Sequence, residues 1–307
     1  VKVERRSLLK GAAFGAGALA FGALPAVGKS QRNGFRAVFF TDAHLPAEMS
    51  HPERLPNDEM RHQERGRRAF ELAAAEEPDL VIFGGDNVFA IDQQNSRDNA
   101  EMQFANWNRV VDDKLNCPTI SVIGNHDIWV PGEGVPVSDR KAFAKVGYQM
   151  PHRYYRHDAG GWSFFLLDVF GTGATEGLDE EQWAWFEGEL ASTDKPCCVV
   201  THAPILSATN LLVGGAIGGT NRFRETFLRN PQVRLALSGH NHCVDRVEYD
   251  EVTYICGGAV SGAWWGGNYA EFPPAFVVLD LQPDGTLESE VVFWETAKGA
   301  PPLLQKY

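Results

Sequence analysis

The 307-residue sequence predicts an α/β fold with layers of helix outside two packed sheets. Two patterns predict it. From Phe35 to Ser238, short apolar and often β-branched runs alternate with helical stretches; from Val244 onward the helices give way to hairpins. Phe35 to Thr41 reads as the first core strand, Asp58 to Glu77 as a helix, and Pro78-Asp79 leads into a strand ending at Phe83. A helix over Asn99 to Leu115 and a strand over Thr119 to Ile123 follow, then a helix over Ser138 to Val146. Strands are expected over Arg153 to His157 and Trp162 to Asp168. A helix from Asp179 to Leu190 opens on acidic residues, which favour a helix N-terminus. Strand Cys198 to Thr201, helix Asn221 to Arg229 and strand Val233 to Ser238 complete the alternation. Val244 to Glu248 and Thr253 to Cys256 flank a short acidic turn, and Phe276 to Leu281 and Leu287 to Trp294 flank Pro283-Asp284-Gly285.

Five polar motifs interrupt this scheme: Asp42-Ala43-His44, Gly85-Asp86-Asn87, Gly124-Asn125-His126-Asp127, Thr201-His202-Ala203-Pro204 and Gly239-His240-Asn241-His242. Each follows an apolar run such as Ala37 to Phe40 or Leu80 to Phe83, so each belongs where a buried strand becomes a loop. A fold can gather such points at one sheet edge. Asp, His and Asn side chains are ligands for divalent ions of intermediate hardness, and seven of them suffice for two adjacent ions. His51, His62, His152 and His157 have no such context and are expected at the surface.

Composition narrows the partners. A hydrophobic fraction of 44% and a charged fraction of 22% are those of a globular enzyme. A net charge of −12 excludes nucleic acid held on a broad basic surface, while bound cations would still admit an anionic substrate. At the N-terminus, Arg5-Arg6 precedes an uncharged stretch from Gly11 to Leu24 and then Pro25-Ala26. That order resembles a twin-arginine signal over residues 1–26, and implies export to the periplasm. The stretch is shorter than the roughly 20 residues that span a bilayer, so no stable membrane anchor is expected. Cys117, Cys197, Cys198, Cys243 and Cys256 contain no CxxC pair and are expected as structural thiols. Gly214 to Gly219 lacks the lysine of a phosphate-binding P-loop and reads as a mobile loop near the site. No low-complexity linker divides residues 35–297, which are expected to form one catalytic domain.

In order and without a gap, the five motifs resemble the signature of the calcineurin-like metallophosphoesterase superfamily, over about 200 residues from Asp42 to His242. The resemblance implies a four-layer αββα sandwich of two mixed sheets flanked by helices. It implies that Asp42, His44 and His242 hold one divalent metal (Mn, Fe or Zn), that Asn125, His202 and His240 hold a second, and that Asp86 bridges them. It also implies hydrolysis of phosphate esters by a metal-bridging hydroxide. His126 would then stabilise or protonate the leaving oxygen, with Asp127 orienting it or only bracing the loop.

Details narrow the branch. Purple acid phosphatases place a Tyr where Phe89 stands, and the longer motifs of secreted 5′-nucleotidases and protein Ser/Thr phosphatases are absent. The Asn-His-Asp form with Gly-His-Asn-His most resembles bacterial class III cyclic-nucleotide phosphodiesterases. The resemblance therefore implies a phosphodiesterase for small or nucleotide-type diesters. A phosphomonoesterase or a lipid-headgroup phosphodiesterase of the same fold, and a non-catalytic metal-stabilised binding protein, remain as alternatives. Trp264 and Trp265, between glycines in the Gly257 to Gly267 stretch, offer either a stacking face for substrate or packing at a sheet edge.

Overall fold

The computed structural model describes residues 34–47, 59–92, 96–129, 140–170 and 177–295, excluding the side chains of residues 59 and 60. The expected signal over 1–26, His51, the start of the first expected helix at Asp58, and residues 138–139 and 296–297 lie outside them.

Among the described residues, eleven strands form two mixed sheets. The first is ordered β11-β10-β1-β2-β3, with β1 (Phe35–Phe40), β2 (Leu80–Phe83) and β3 (Thr119–Ser121) parallel. On it β10 (Ala275–Leu281) and β11 (Leu287–Phe293) run antiparallel to their neighbours. The second is ordered β4-β5-β6-β7-β9-β8. Here β5 (Trp162–Leu166), β6 (Cys197–Val200), β7 (Val233–Ser238) and β9 (Val252–Gly257) are parallel. Its edges, β4 (Tyr155–Ala159) and β8 (Val244–Tyr249), are antiparallel.

The two-residue period of a strand distributes these side chains among three cores. Ala37, Phe39, Leu80 and Ile82 face Phe164, Leu166, Cys198 and Leu235 between the sheets. Their neighbours Val38, Phe40, Val81 and Phe83 point the other way, onto helices α1 (Glu59–Ala75), α2 (Arg97–Lys114) and α3 (Ala142–Gly147) through Phe70, Trp107 and Ala144. On the far side Phe165, Cys197 and Val199 pack on Trp183 and Phe186 of α4 (Glu180–Ala191), which touch Phe223. Phe223 belongs to α6 (Thr220–Arg229), and a single turn, α5 (Asn210–Val213), precedes it. The result is the expected order of helix, sheet, sheet and helix. No described helix is long and apolar enough to cross a membrane.

Three expectations need correction. Strand β4 begins at Tyr155 rather than Arg153, because the Arg153 guanidinium is held by Asp168 and Asp179 and the Gly160-Gly161 turn sets the register Ala159↔Trp162. His62 is buried, its ring stacked on Trp265 at 6.2 Å between centroids, whereas His152 is exposed as expected. Part of the segment read as a mobile loop is fixed: Ile217 is buried in the outer core of the second sheet. All five cysteines are free thiols, and four of them are buried.

Candidate metal centre

Loops leaving the C-terminal ends of β1, β2 and β3 on one sheet and β6 and β7 on the other converge, so the five motifs meet between the two sheet edges. Such carboxyl ends are where open α/β sheets place their ligands. Main-chain bonds lock the loops together. Asp42 N–H donates to Gly85 O at 3.0 Å, His44 N–H to Asp86 O at 2.9 Å, and Gly239 N–H to His202 O at 2.8 Å. Glycine is required at two of these joints by close approach: a Cβ on Gly124 would lie 2.1 Å from Asp86 Oδ1, and one on Gly239 2.1 Å from Asp42 Oδ2. Asp42, His44, Asp86, His240 and His242 all adopt left-handed φ values, between 39° and 67°. Non-glycine residues hold such angles only where surrounding contacts over-determine them, and functional sites are where this strain collects.

The side chains form two clusters. Asp42, His44 and His242 offer ligand atoms within 4.8 Å of one another, and so do Asp86, His202 and His240. Asp86 Oδ2 lies 3.1 Å from His202 Nε2 and 3.8 Å from His44 Nε2, so one carboxylate faces both clusters. Backbone carbonyls fix the imidazoles. Nδ1–H of His44 donates to Phe89 O at 3.1 Å, that of His202 to Gly84 O at 2.7 Å, and that of His242 to Gly262 O at 2.6 Å. A carbonyl can only accept, so each bond turns Nε2 toward the centre.

These residues fit a pair of cations. His44 Nε2 and His242 Nε2 face each other at 3.2 Å, an arrangement of two lone pairs that calls for a cation between or beside them. Asn125 Oδ1, the amide oxygen a divalent ion would take, is buried with no hydrogen-bond partner among the described residues. Burial holds the His44 imidazole down to about 3 and that of His240 to about 4, keeping both neutral and able to ligate. His202 is the opposite case: burial disfavours its cation, but Asp86 and Asp42 outweigh burial and push it up to about 10. Metal-free protein therefore carries a proton on His202 near neutral pH, and a cation must displace it. Titrating Mn²⁺ or Zn²⁺ into metal-free protein in buffers of different ionisation enthalpy should show release of about one proton per protein. Heats independent of the buffer would contradict this.

The remaining expected residues divide. His126 lies beside the centre, its N–H donating to Asp86 Oδ1 at 2.8 Å. Asp127 does not orient it. Its buried carboxylate is spent on the N–H groups of Asp86 (2.8 Å) and Gly124 (2.9 Å) and on the Tyr148 hydroxyl (2.6 Å), clamping the β2 and β3 loops together. The group that holds His126 is Asp92, whose Oδ1 is 2.8 Å from Nδ1. Sequence reasoning missed Asp92. The one signal was a lone acid directly after the apolar run Val88 to Ile91, and the contact depends on Ile91 N–H donating to His126 O across two loops.

The two tryptophans also divide. Trp265 is buried, donates Nε1–H to His44 O at 2.8 Å and lies under the Arg65 guanidinium, so it offers substrate no face. Trp264 is partly exposed, stacked on His44 at 3.7 Å and edge-on to His126 at 4.7 Å. Their loop braces the whole first cluster: Ser261 Oγ donates to Asp42 O, Gly262 O takes His242, and Trp265 takes His44.

The sequence matches the calcineurin-like phosphoesterase family over residues 35–244. The chain belongs to that family. It is thus a phosphoester hydrolase built around a two-metal site. Among curated relatives it is 26% identical over 224 residues to a Synechococcus sp. protein named "Probable cyclic nucleotide phosphodiesterase", covering 71% of this chain and 78% of the relative. It is 25% identical over 228 residues to a 3′,5′-cyclic-nucleotide phosphodiesterase of Nostoc sp., covering 70% of this chain and 76% of that one. Among solved structures, a dimetal phosphatase from Danio rerio superposes with a TM-score of 0.61 at 13% identity, over 84% of this chain and 95% of that one. The inner membrane complex anchor of Plasmodium does so with a TM-score of 0.54 at 14% identity, over 87% and 86%. Those structural likenesses establish the fold of this calcineurin-like phosphoesterase, and its chemistry must be argued from its own residues.

Proposed function

We propose that this calcineurin-like phosphoesterase hydrolyses small or nucleotide-type phosphodiesters. The observation that carries the reading is the pair of largely buried clusters that both face Asp86, with His126 beside them. Asp42, His44 and His242 would hold one divalent ion, Asn125, His202 and His240 the other, and Asp86 both. When bound, the ions supply the positive charge that holds a phosphoryl group and acidifies a water. All seven donors are oxygen or nitrogen, which suits manganese, iron or zinc. His126 is placed to act on the substrate itself: its side chain keeps 19% exposure, while those of His44 and His202 have none. With Nδ1 held by Asp92, its other nitrogen can give a proton to the departing oxygen. Charge favours a diester. Among the described residues no lysine or arginine pairs with the site carboxylates, so these residues add no fixed cation to the two ions for the second negative charge of a monoester. The relatives' names point the same way.

The test is turnover of bis-p-nitrophenyl phosphate, 3′,5′-cyclic AMP and p-nitrophenyl phosphate by metal-stripped protein reconstituted with Mn²⁺, Fe²⁺ or Zn²⁺. Metal-dependent turnover favouring the diesters is expected. A preference for the monoester would overturn the diesterase reading, and full metal loading without turnover of any ester would favour a binding protein.

Trp264 is the proposed substrate contact, through the face not covered by His44. Trp264→Ala should raise KM for cyclic AMP about tenfold and leave KM for the small aryl diester nearly unchanged. Trp265→Ala should instead cost about 3–5 kcal/mol of stability, read by denaturant unfolding, since it empties a buried site. An equal KM rise for both substrates in Trp264→Ala would remove the stacking role. Export remains part of the proposal, supported by the Arg5-Arg6 and Gly11 to Leu24 order; retention in the cytoplasm of a reporter fused behind residues 1–26 would refute it.

A further inference from the structure

Between Lys195 and Arg222 the chain contains no aspartate, glutamate, lysine or arginine, in a protein of net charge −12. The α5 turn lies in the middle of this stretch and presents three consecutive aliphatic residues to solvent: Leu211 is 93% exposed, Leu212 71% and Val213 39%. The display is firmly footed. Asn241 Nδ2 donates to Asn210 Oδ1 at 2.6 Å, and Asp245 Oδ2 accepts from Ser207 Oγ at 2.6 Å and Thr209 N–H at 2.9 Å. Beyond the tip, Ile217 is buried and Thr220 Oγ1 donates to its carbonyl at 3.2 Å. The footing is also the wall of the metal centre. Asn241 separates His240 from His242, and Gly215 lies so close to the Asn241 amide and the His240 ring that no Cβ fits.

Side chains this exposed do not line the site; they face outward beside it. Contiguous exposed apolar surface marks a place of interaction. We infer that the Leu211–Val213 tip is a wedge that docks the protein reversibly on a neutral or zwitterionic lipid surface, next to the metal centre. A lipid surface fits better than a protein for two reasons. The tip is purely aliphatic, without the aromatic and arginine anchors that dominate protein interfaces. Because the whole stretch is free of those four charged residue types, inserting its tip desolvates no carboxylate, ammonium or guanidinium of its own, and the Asp245 carboxylate in its footing is already hydrogen-bonded to Ser207 and Thr209. The acidic chain opposes anionic lipid, and a wedge without a basic patch gives weak, reversible binding. A consequence, that diesters presented at such a surface are hydrolysed preferentially, rests on the phosphodiesterase reading; the docking does not.

The test is co-sedimentation of the full, metal-loaded chain with phosphatidylcholine vesicles, and with vesicles containing phosphatidylserine, for the natural sequence and for Leu211→Ser/Leu212→Ser. The apolar segment Gly11 to Leu24 is common to both proteins, so their difference isolates the tip. Partition onto phosphatidylcholine should fall by about tenfold or more in the variant. Natural protein should bind phosphatidylserine vesicles more weakly, and lowering the salt should not rescue that binding. Equal partition of the two proteins overturns the wedge. So does a variant that loses self-association rather than vesicle binding, since the tip would then join two copies. Hydrolysis of bis-p-nitrophenyl phosphate in solution, measured on the same samples, separates the two readings. Turnover without any tip-dependent docking sinks the wedge alone, and docking without turnover sinks the phosphodiesterase alone.

Discussion

Asp86→Ala is expected to lower kcat/KM for bis-p-nitrophenyl phosphate by on the order of 10³, with metal content falling from two ions per protein to one or fewer. Asp86 is the carboxylate set closest to the histidines of both clusters at once, with Oδ2 3.1 Å from His202 Nε2 and 3.8 Å from His44 Nε2, whereas Asp42 Oδ1 lies 3.9 Å from His202 Nε2. Alanine would leave Asp42 as the sole carboxylate against the charge of two cations, a repulsion that imidazoles and an amide cannot offset. It would also free the His126 N–H from Asp86 Oδ1, loosening the turn that carries the proton donor. Asp86→Asn keeps the shape and the acceptor but not the charge, so it separates the two effects. If charge dominates, Asn and Ala should lose metal alike; if the turn dominates, Asn should recover most of the rate. Metal analysis beside steady-state kinetics decides it. Full occupancy and activity in both variants would mean that Asp86 bridges nothing.

The difference between Asp86 and Asp92 shows what sequence can and cannot reveal. Asp86 was legible because its chemistry is local. Gly85-Asp86 follows the buried run Leu80 to Phe83, and the same grammar of apolar run, glycine and ligand recurs at Asn125 and His240. Strand alternation was legible for a similar reason: Ala37 and Phe39 turn inward while Val38 and Phe40 meet the helices, as a two-residue period requires. Three-dimensional contacts were harder. Nothing near Trp265 says that its indole N–H reaches His44 O, 221 residues away, and nothing near Asn210 says that it pairs with Asn241. The same blindness left Asp127 between orienting its sequence neighbour His126 and bracing the loop; a 3₁₀ turn over Asn125–Asp127 turns that carboxylate back onto the amides of Asp86 and Gly124.

The division of labour between Asp127 and Asp92 leads to the second large effect. Asp92→Asn should slow hydrolysis of diesters with poor leaving groups by about 10²-fold, yet slow bis-p-nitrophenyl phosphate only slightly. Nitrophenolate departs without a proton, whereas the alkoxide of a nucleotide or alkyl ester needs one from His126. Asp92 supports that donor in two ways. Its Oδ1, 2.8 Å from Nδ1, fixes the ring, and its negative charge helps raise the His126 pKa: burial opposes the cation, while Asp86 and then Asp92 favour it. Asparagine can keep the hydrogen bond but not the charge, so the ring should stay in place as a weaker donor. The dependence of rate on leaving-group pKa should accordingly steepen in Asp92→Asn and in His126→Asn, and combining the two should add little to either. Asp127→Asn provides the contrast. It weakens a clamp between two loops, so its cost should appear as lost stability and metal affinity, equally for every leaving group. A uniform loss of rate in Asp92→Asn would make that residue a brace as well, and leave His126 without a charged partner in the reaction.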